Sequence, residues 1–205
     1  MAILALASLK TEYGSFKVRY HQTENGNGVS LAKGNIKDGV PYLRIQSSCL
    51  FSESFHAIDC DCALQLQGSL KLINSKRKGA LVYLFEEGRG AGLITKIKAI
   101  GAEKKLKIDT VDAFKTLGLP PDLRNYKTAL EILEDLKISK QVKFITNNPQ
   151  KKEALERNGF KVVEIIKLKL KINELVGKYL QIKKRKLGHK YIDFNFYVHG
   201  KKRQK

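Results

Sequence analysis

Apolar and polar residues alternate through "GSFKVRYHQ" (14–22) and "GVSLAKGNI" (28–36), and the intervening "NGNG" (25–28) carries a turn signal. A period of two bounded by Gly and Asn predicts two half-buried strands joined by a turn. "PYLRIQSS" (41–48) reads as a third strand. From Asp61 to Lys76 the spacing changes, and Leu64, Leu66, Leu70 and Ile73 predict a helix. "GALVYLF" (79–85) is a continuous apolar run, as in a strand buried on both faces, and the glycine-rich "EEGRGAG" (86–92) follows it. "LITKIKAIGAEKK" (93–105) is helical, and "DTVDAFKTLG" (109–118) predicts a short helix with an acidic cap and a closing glycine. After the loop "PPDLRNY" (120–126) come an amphipathic helix "KTALEILEDLK" (127–137), a strand "QVKFIT" (141–146), a helix "NPQKKEALERNG" (148–159) and a strand "FKVVEII" (160–166). Strands come first and strand–helix alternation later. The expectation is an α/β (α+β mixed) fold, with a mixed β-sheet flanked by helices in a single compact domain over 1–190 and a basic tail at 191–205.

Composition narrows the class. Apolar residues make up 42% of the 205, a globular proportion, and no apolar run is long enough to span a membrane. The N-terminal "MAILALASLK" has an apolar patch with no basic residue before it, so it does not read as a signal peptide. The expected location is the cytoplasm, where thiols stay reduced. Lys and Arg number 39 against 20 Asp and Glu, a net charge of +19 that favours polyanions: nucleic acid, a membrane surface or a phosphate-rich small molecule. The basic residues are spread along the chain, concentrated only in "KKRK" (183–186) and the final "KKRQK", and no aromatic interleaving for base stacking is evident.

Chemistry concentrates at four places. The three cysteines of the chain, Cys49, Cys60 and Cys62, fall in one stretch, "SSCLFSESFHAIDCDCALQ" (47–65). Thiolates so spaced can converge on zinc, and three protein ligands with one open position is the pattern of a catalytic site. His56 lies between them and would close the set as a structural site; buried, metal-free cysteines are the third option. Second, "FEEGRGAGL" (85–93) offers backbone N–H groups and a helix N-terminus to an anion, with Arg89 for a phosphate fork. It is neither a dinucleotide fingerprint, whose third glycine would fall at Leu93, nor a Walker loop; a plain glycine turn remains open. Third, Asp122 and Arg124 stand two apart in the doubly proline-stiffened loop, where the carboxylate can orient the guanidinium or simply face solvent. Fourth, "ITNNPQKK" (145–152) ends a strand in amides and lysines suited to a phosphate or a base edge.

These pieces occur in the order of the GTP cyclohydrolase II family, which the sequence resembles. The matching segments are "TEYGSF" (11–16), "R-x-x-S-x-C" (44–49), "CDC-x-x-Q" (60–65), "EEGRGAGL-x-x-K" (86–96), "DTV-x-A" (109–113), "LG-x-P-x-D-x-R-x-Y" (117–126), "TNNP-x-K" (146–151) and "YL-x-x-K-x-x-K-x-GH" (179–189). The resemblance implies one zinc ion per subunit on Cys49, Cys60 and Cys62. Water activated there would open the guanine imidazole ring of GTP at C8, and a second hydrolysis would release formate. It implies pyrophosphate release with Arg124 as nucleophile and Asp122 as proton acceptor, although a guanidinium that is always charged suits an electrostatic clamp better. Substrate contacts map onto Arg44, Gln65, Glu87, Gly88, Arg89, Thr110, Thr146 and Lys151. Mg²⁺ would accompany the triphosphate, the protein would be a homodimer, and the product would be 2,5-diamino-6-(5-phosphoribosylamino)pyrimidin-4-one, for riboflavin synthesis.

The sequence departs from the family pattern mainly at the base-handling end. Ser48 stands where Glu is common, Gln46 where His is common, Thr95 where Asn is usual, and Ile100 where a tyrosine is normal. Two alternatives follow. A diverged member would stop at the formylated ring-opened product or take another nucleotide. A non-catalytic basic zinc protein would bind nucleic acid, with strong salt dependence.

Overall fold

The structure is a computed structural model that describes residues 3–189 and the short strand Asn195–Phe196. In chain order the elements are β1 (Ile3–Thr11), β2 (Gly14–Thr23), β3 (Gly26–Lys33), β4 (Tyr42–Ser47), α1 (Leu50–Glu53), α2 (Cys62–Lys76), β5 (Gly79–Leu84), α3 (Gly92–Leu106), α4 (Thr110–Thr116), α5 (Lys127–Asp135), β6 (Gln141–Ile145), α6 (Pro149–Arg157), β7 (Lys161–Ile166), β8 (Lys171–Ile172), α7 (Glu174–Leu187) and β9 (Asn195–Phe196). Local chemistry sets several boundaries. Asp109 accepts hydrogen bonds from the N–H groups of Val111 and Asp112 and so caps α4. Asn148 caps α6 ahead of Pro149, whose missing N–H costs nothing there.

Seven strands form one mixed sheet in the order β1-β2-β3-β5-β4-β6-β7. β1, β2, β3 and β5 pair antiparallel; β5, β4, β6 and β7 pair parallel. This is the mixed α/β architecture that the change in periodicity predicts. β1 was not legible. Its apolar residues fall on both faces and give no alternation, and the strand exists by pairing with β2, leaving Leu6 and Leu9 exposed at the sheet edge. Phe85, expected in the strand 79–85, lies past the end of β5 and is exposed. The expected basic tail at 191–205 lies outside the described residues, apart from β9.

Two cores sandwich the sheet. On one face Ala80, Val82 and Leu84 of β5 pack with Leu43, Ile45 and Phe144 against Ala129, Ile132 and Leu133 of α5. On the other, Leu81 joins Phe16, Ile145 and the α2 residues Leu70 and Ile73. Alternate residues of β5 thus face opposite cores, which explains its unbroken apolar run. The parallel strands β5, β4 and β6 share a direction, so their C-terminal ends emerge at one edge of the sheet. There the chain continues into Glu86–Arg89, Ser48–Cys49 and Thr146–Asn148 respectively. Ligands of open α/β sheets bind outside this edge. Among the described residues, no helix is long and apolar enough to cross a membrane.

Candidate functional site

A cleft of about 780 Å³ opens at that edge. Every site residue expected from the sequence lines it except Asp122, which stands behind Arg124.

Cys49 follows β4, Cys60 ends the loop before α2, and Cys62 begins that helix. Their sulfurs lie within 4.8 Å of one another, with Cys49 and Cys60 Sγ 3.8 Å apart and no disulfide formed. Tetrahedral zinc with bonds of about 2.3 Å places its sulfurs about 3.8 Å apart. Among the described residues these three thiols make up the whole cluster, and they fit a zinc ion with a position left over. His56 is exposed in a loop at φ 55°, so the fourth-ligand option is not met here. Hydrogen bonds from the Cys60 and Cys62 thiols, joined by Lys96 Nζ 3.1 Å away, hold the Cys49 thiol well below its ordinary range.

Two acids that sequence reasoning missed or read otherwise fix the first cysteine. Glu53 accepts from the Cys49 N–H at 3.3 Å, from Gln46 Nε2 at 2.9 Å and from the Tyr83 hydroxyl. Glu87 accepts from the Leu50 N–H at 2.7 Å and from Lys96 at 2.8 Å. Nothing local in "FSESF" marks Glu53; its partners come from β4 and β5.

A cationic group lies beside the cysteines. The guanidinium of Arg44 is buried, donating to Gln46 Oε1 at 3.0 and 2.6 Å, to the Ile145 carbonyl at 3.1 Å, and to Gln65. Burial pushes it down to about 10, against the pull of Asp61, so it stays charged at neutral pH. Lys151 Nζ donates to the Ile45 carbonyl at 2.8 Å. Burial, then Arg124 and Arg44, push it well below its usual range. Arg124 donates a fork of hydrogen bonds to Asp122, Nε to Oδ1 at 2.8 Å and Nη2 to Oδ2 at 2.5 Å. Burial opposes both charges, yet the pairing raises Arg124 and lowers Asp122. Tyr126, which the sequence did not single out, lies under both Arg124 and Lys151, with their charged ends 5.8 and 5.7 Å from its ring centre.

The glycine loop is tied to the proline loop. Leu123 N–H donates to the Arg89 carbonyl at 3.0 Å, and Gly90, at φ 85°, packs so close to Leu123 and Arg124 that a Cβ would lie 3.2 Å from backbone. Arg89 is spread over its neighbours: Nη2 donates to Thr110 Oγ1 at 3.0 Å, Nη1 approaches the Pro121 carbonyl at 3.4 Å, and the guanidinium covers Phe114. The structure therefore brings Arg89 and Thr110 together in the cleft wall. Thr146 Oγ1 accepts from the Asn148 N–H at 3.1 Å and shapes the turn after β6. Of the departures from the family pattern, Gln46, Ser48 and Ile100 line the cleft; Thr95 is not among the lining residues.

α7 closes the cleft with Tyr179 and Lys183, and His189, just past the helix cap at Gly188, completes this wall. Lys183 Nζ lies 3.4 Å from Asp61 Oδ1, between the second and third cysteines. Burial acts against the Asp61 charge, and Lys183 and Gln65 outweigh it. The motif at 179–189 was the sequence signal for this wall; its role was not readable from spacing.

The family model for GTP cyclohydrolase II matches residues 3–167. A GTP cyclohydrolase-2 from Neisseria gonorrhoeae is 42% identical over 188 residues, covering 91% of this chain and 94% of that protein. A GTP cyclohydrolase-2 from Archaeoglobus fulgidus is 43% identical over 185 residues, covering 89% of this chain and 48% of that protein. A riboflavin biosynthesis protein RibBA from Aquifex aeolicus is 43% identical over 192 residues, covering 92% and 47%. The chain thus spans about half the length of these last two relatives.

Proposed function

The chain belongs to the GTP cyclohydrolase II family, and on that premise we propose that it is a zinc-dependent hydrolase of GTP. In this reading it opens the imidazole ring, releases formate and pyrophosphate, and supplies the diaminopyrimidine for riboflavin synthesis. The observation that carries it is the placing of three converged thiols and the basic side chains Arg44, Arg124 and Lys151 along one cleft. A guanine base at one end and a triphosphate at the other match that arrangement.

Cys49, Cys60 and Cys62 hold the zinc, which when bound supplies Lewis-acid activation of water near neutral pH. Ring opening adds one water across C8 and breaks the bond from C8 to N9, leaving a formyl group on N7; a second water releases it as formate. Gln65, held by Arg44 and Asp61, is positioned to orient the base. At the other end, attack of a water on the α phosphorus breaks the bond to the β phosphate and releases pyrophosphate, and Mg²⁺ carried by the triphosphate would help neutralise the negative charge that develops. Arg124 meets it as a fixed cation that Asp122 aims, because its guanidinium does not lose a proton at neutral pH. Lys151 presents a buried amino group to the phosphates, held on the Ile45 carbonyl. Glu87 and Gly88 contribute through the loop after β5, and Arg89, Thr110 and Thr146 keep the walls in shape.

A second reading is favoured by one observation. Ile100 lines the cleft and offers no hydroxyl. An enzyme so built stops at the formylated ring-opened product.

The test is zinc content measured with GTP-dependent turnover. The reading expects one zinc per chain and GTP consumption that a chelator abolishes and zinc restores. A folded, zinc-loaded chain that leaves GTP unchanged overturns it.

A further inference from the structure

The segment 179–189 lies past residue 167, where the match to the family model ends, yet it bears on the cysteine cluster. α7 is fastened to the cysteine loop at three points. Asn173 Nδ2 donates to the Ile58 carbonyl at 2.9 Å, two residues before Cys60. Ile172, Val176 and Leu180 pack against Leu64, two residues after Cys62. Between these anchors, Lys183 pairs with Asp61 at 3.4 Å. The far end of the helix is pinned as well, with Lys186 bridging Asp109 at 2.6 Å and Asp112 at 2.5 Å at the start of α4.

Asp61 is the residue between two of the three cysteines, and it is 1% exposed. Its second oxygen accepts from Gln65, whose own amide oxygen accepts from Arg44. One polar chain therefore runs from α7 through the cysteine turn to β4. A carboxylate this deeply buried needs an opposite charge, and removing one partner of such a pair leaves an uncompensated ion. Lys183 has 13% of its side chain exposed and is itself too buried to be a solvated surface lysine.

We propose that Lys183 is a positioning residue for the metal centre: through Asp61 it fixes the Cys60–Cys62 turn relative to Cys49, and so couples docking of α7 to metal binding. The proposal rests on the zinc reading above. Coupling of this kind is reciprocal, so metal also holds α7 in place. Residues that orient metal ligands from behind are worth about 10–100-fold in affinity when lost.

The experiment uses the full chain. Zinc affinity is measured by competition with a chromophoric chelator, and the cobalt-substituted protein by its ligand-field bands, for the parent, Lys183→Met, Lys183→Arg, Asp61→Asn and the double variant Lys183→Met/Asp61→Asn. The expected result is a loss of about 10–100-fold for Lys183→Met with altered cobalt bands. Lys183→Arg recovers most of it, and the double variant is no worse than Asp61→Asn alone. Parent-like zinc affinity in folded Lys183→Met, additive losses in the double variant, or Lys183→Arg as weak as Lys183→Met would overturn the proposal. If Lys183→Met does not fold, Asp61→Asn decides: unchanged affinity and bands overturn it, weakened affinity supports it. A parent chain that takes up no zinc fails at the metal reading instead, which separates the two claims.

Discussion

The Asp122 carboxylate grips the Arg124 guanidinium through two parallel hydrogen bonds, 2.8 and 2.5 Å long, with both side chains largely out of solvent. Arg124 is thereby held at one place and in one protonation state. Asp122→Asn keeps the volume and loses the fork. Pyrophosphate release should fall by about a hundredfold or more, as when one preorganised charge stabiliser is lost, while GTP binding changes less. Arg124→Lys should not rescue, because an ammonium has no planar fork. Steady-state pyrophosphate release and equilibrium GTP binding separate these effects; equal losses in both would argue against aiming.

The proposed zinc site uses all three cysteines. Cys60→Ser and Cys62→Ser should each lower bound zinc far below one per chain and abolish turnover. Elemental analysis of the purified variants checks this; full zinc occupancy in either would remove that sulfur from the ligand set.

Ile100 faces the cleft without a proton donor. Ile100→Tyr should raise the ratio of formate to pyrophosphate released. An unchanged or lower ratio counts against Ile100 as the limit on the second hydrolysis.

Two buried histidines set an acid limit on stability. Burial, with Lys183, Arg124 and Lys151 adding to it and Asp61 opposing, pushes His189 down to about 3. His21 is also lowered by burial, against Asp135, with Arg19 assisting. Each binds its proton more readily in the unfolded chain, where the value is about 6.5. Protonation therefore favours unfolding: the stability is complete above about pH 6.5 and is lost progressively as pH falls below it, by up to about 1.4 kcal/mol per pH unit per histidine. Urea midpoints of the metal-free chain should drop between pH 7 and 5, and His189→Asn should flatten the profile. A parent profile flat across that range would refute the assignment.

Ser30, His21 and Asp135 have the residue types of a hydrolytic trio, with His21 Nε2 2.8 Å from Ser30 Oγ and Nδ1 2.9 Å from Asp135, but the last contact lacks hydrogen-bond geometry. Both Ser30 and His21 are sealed in the protein. The trio joins β2, β3 and α5. Ser30→Ala should destabilise by about 1 kcal/mol and leave GTP turnover unchanged, and a serine-directed fluorophosphonate should not label the parent. Labelling at Ser30 would make it a second site.

Much of the fold follows from local pattern. The alternation in 14–36, the apolar run of β5 and the capped helices α4 and α6 all stand where the sequence puts them. β1 does not announce itself, because an edge strand with apolar residues on both faces has no period and depends on its partner. At the site, the convergence of the cysteines is legible from residue type and spacing, whereas the Asp122–Arg124 pair is marked out only by the family resemblance. Glu53, Asp61, Tyr126 and Lys183 are not legible from type and spacing. Their roles arise from contacts across long stretches of chain, such as Lys183 with Asp61, which no local window contains. The expected phosphate role of Arg89 also needs qualifying, since its guanidinium already meets Thr110 and Pro121.

The most direct test of the central claim is mass analysis of the products formed from GTP and Mg²⁺ by the zinc-loaded chain, with the metal-stripped chain alongside. The account predicts a ring-opened pyrimidine nucleotide and pyrophosphate from the loaded protein only, with formate released in step if both hydrolyses run. Intact GTP after incubation with folded, zinc-loaded protein, or the same products without metal, would contradict it.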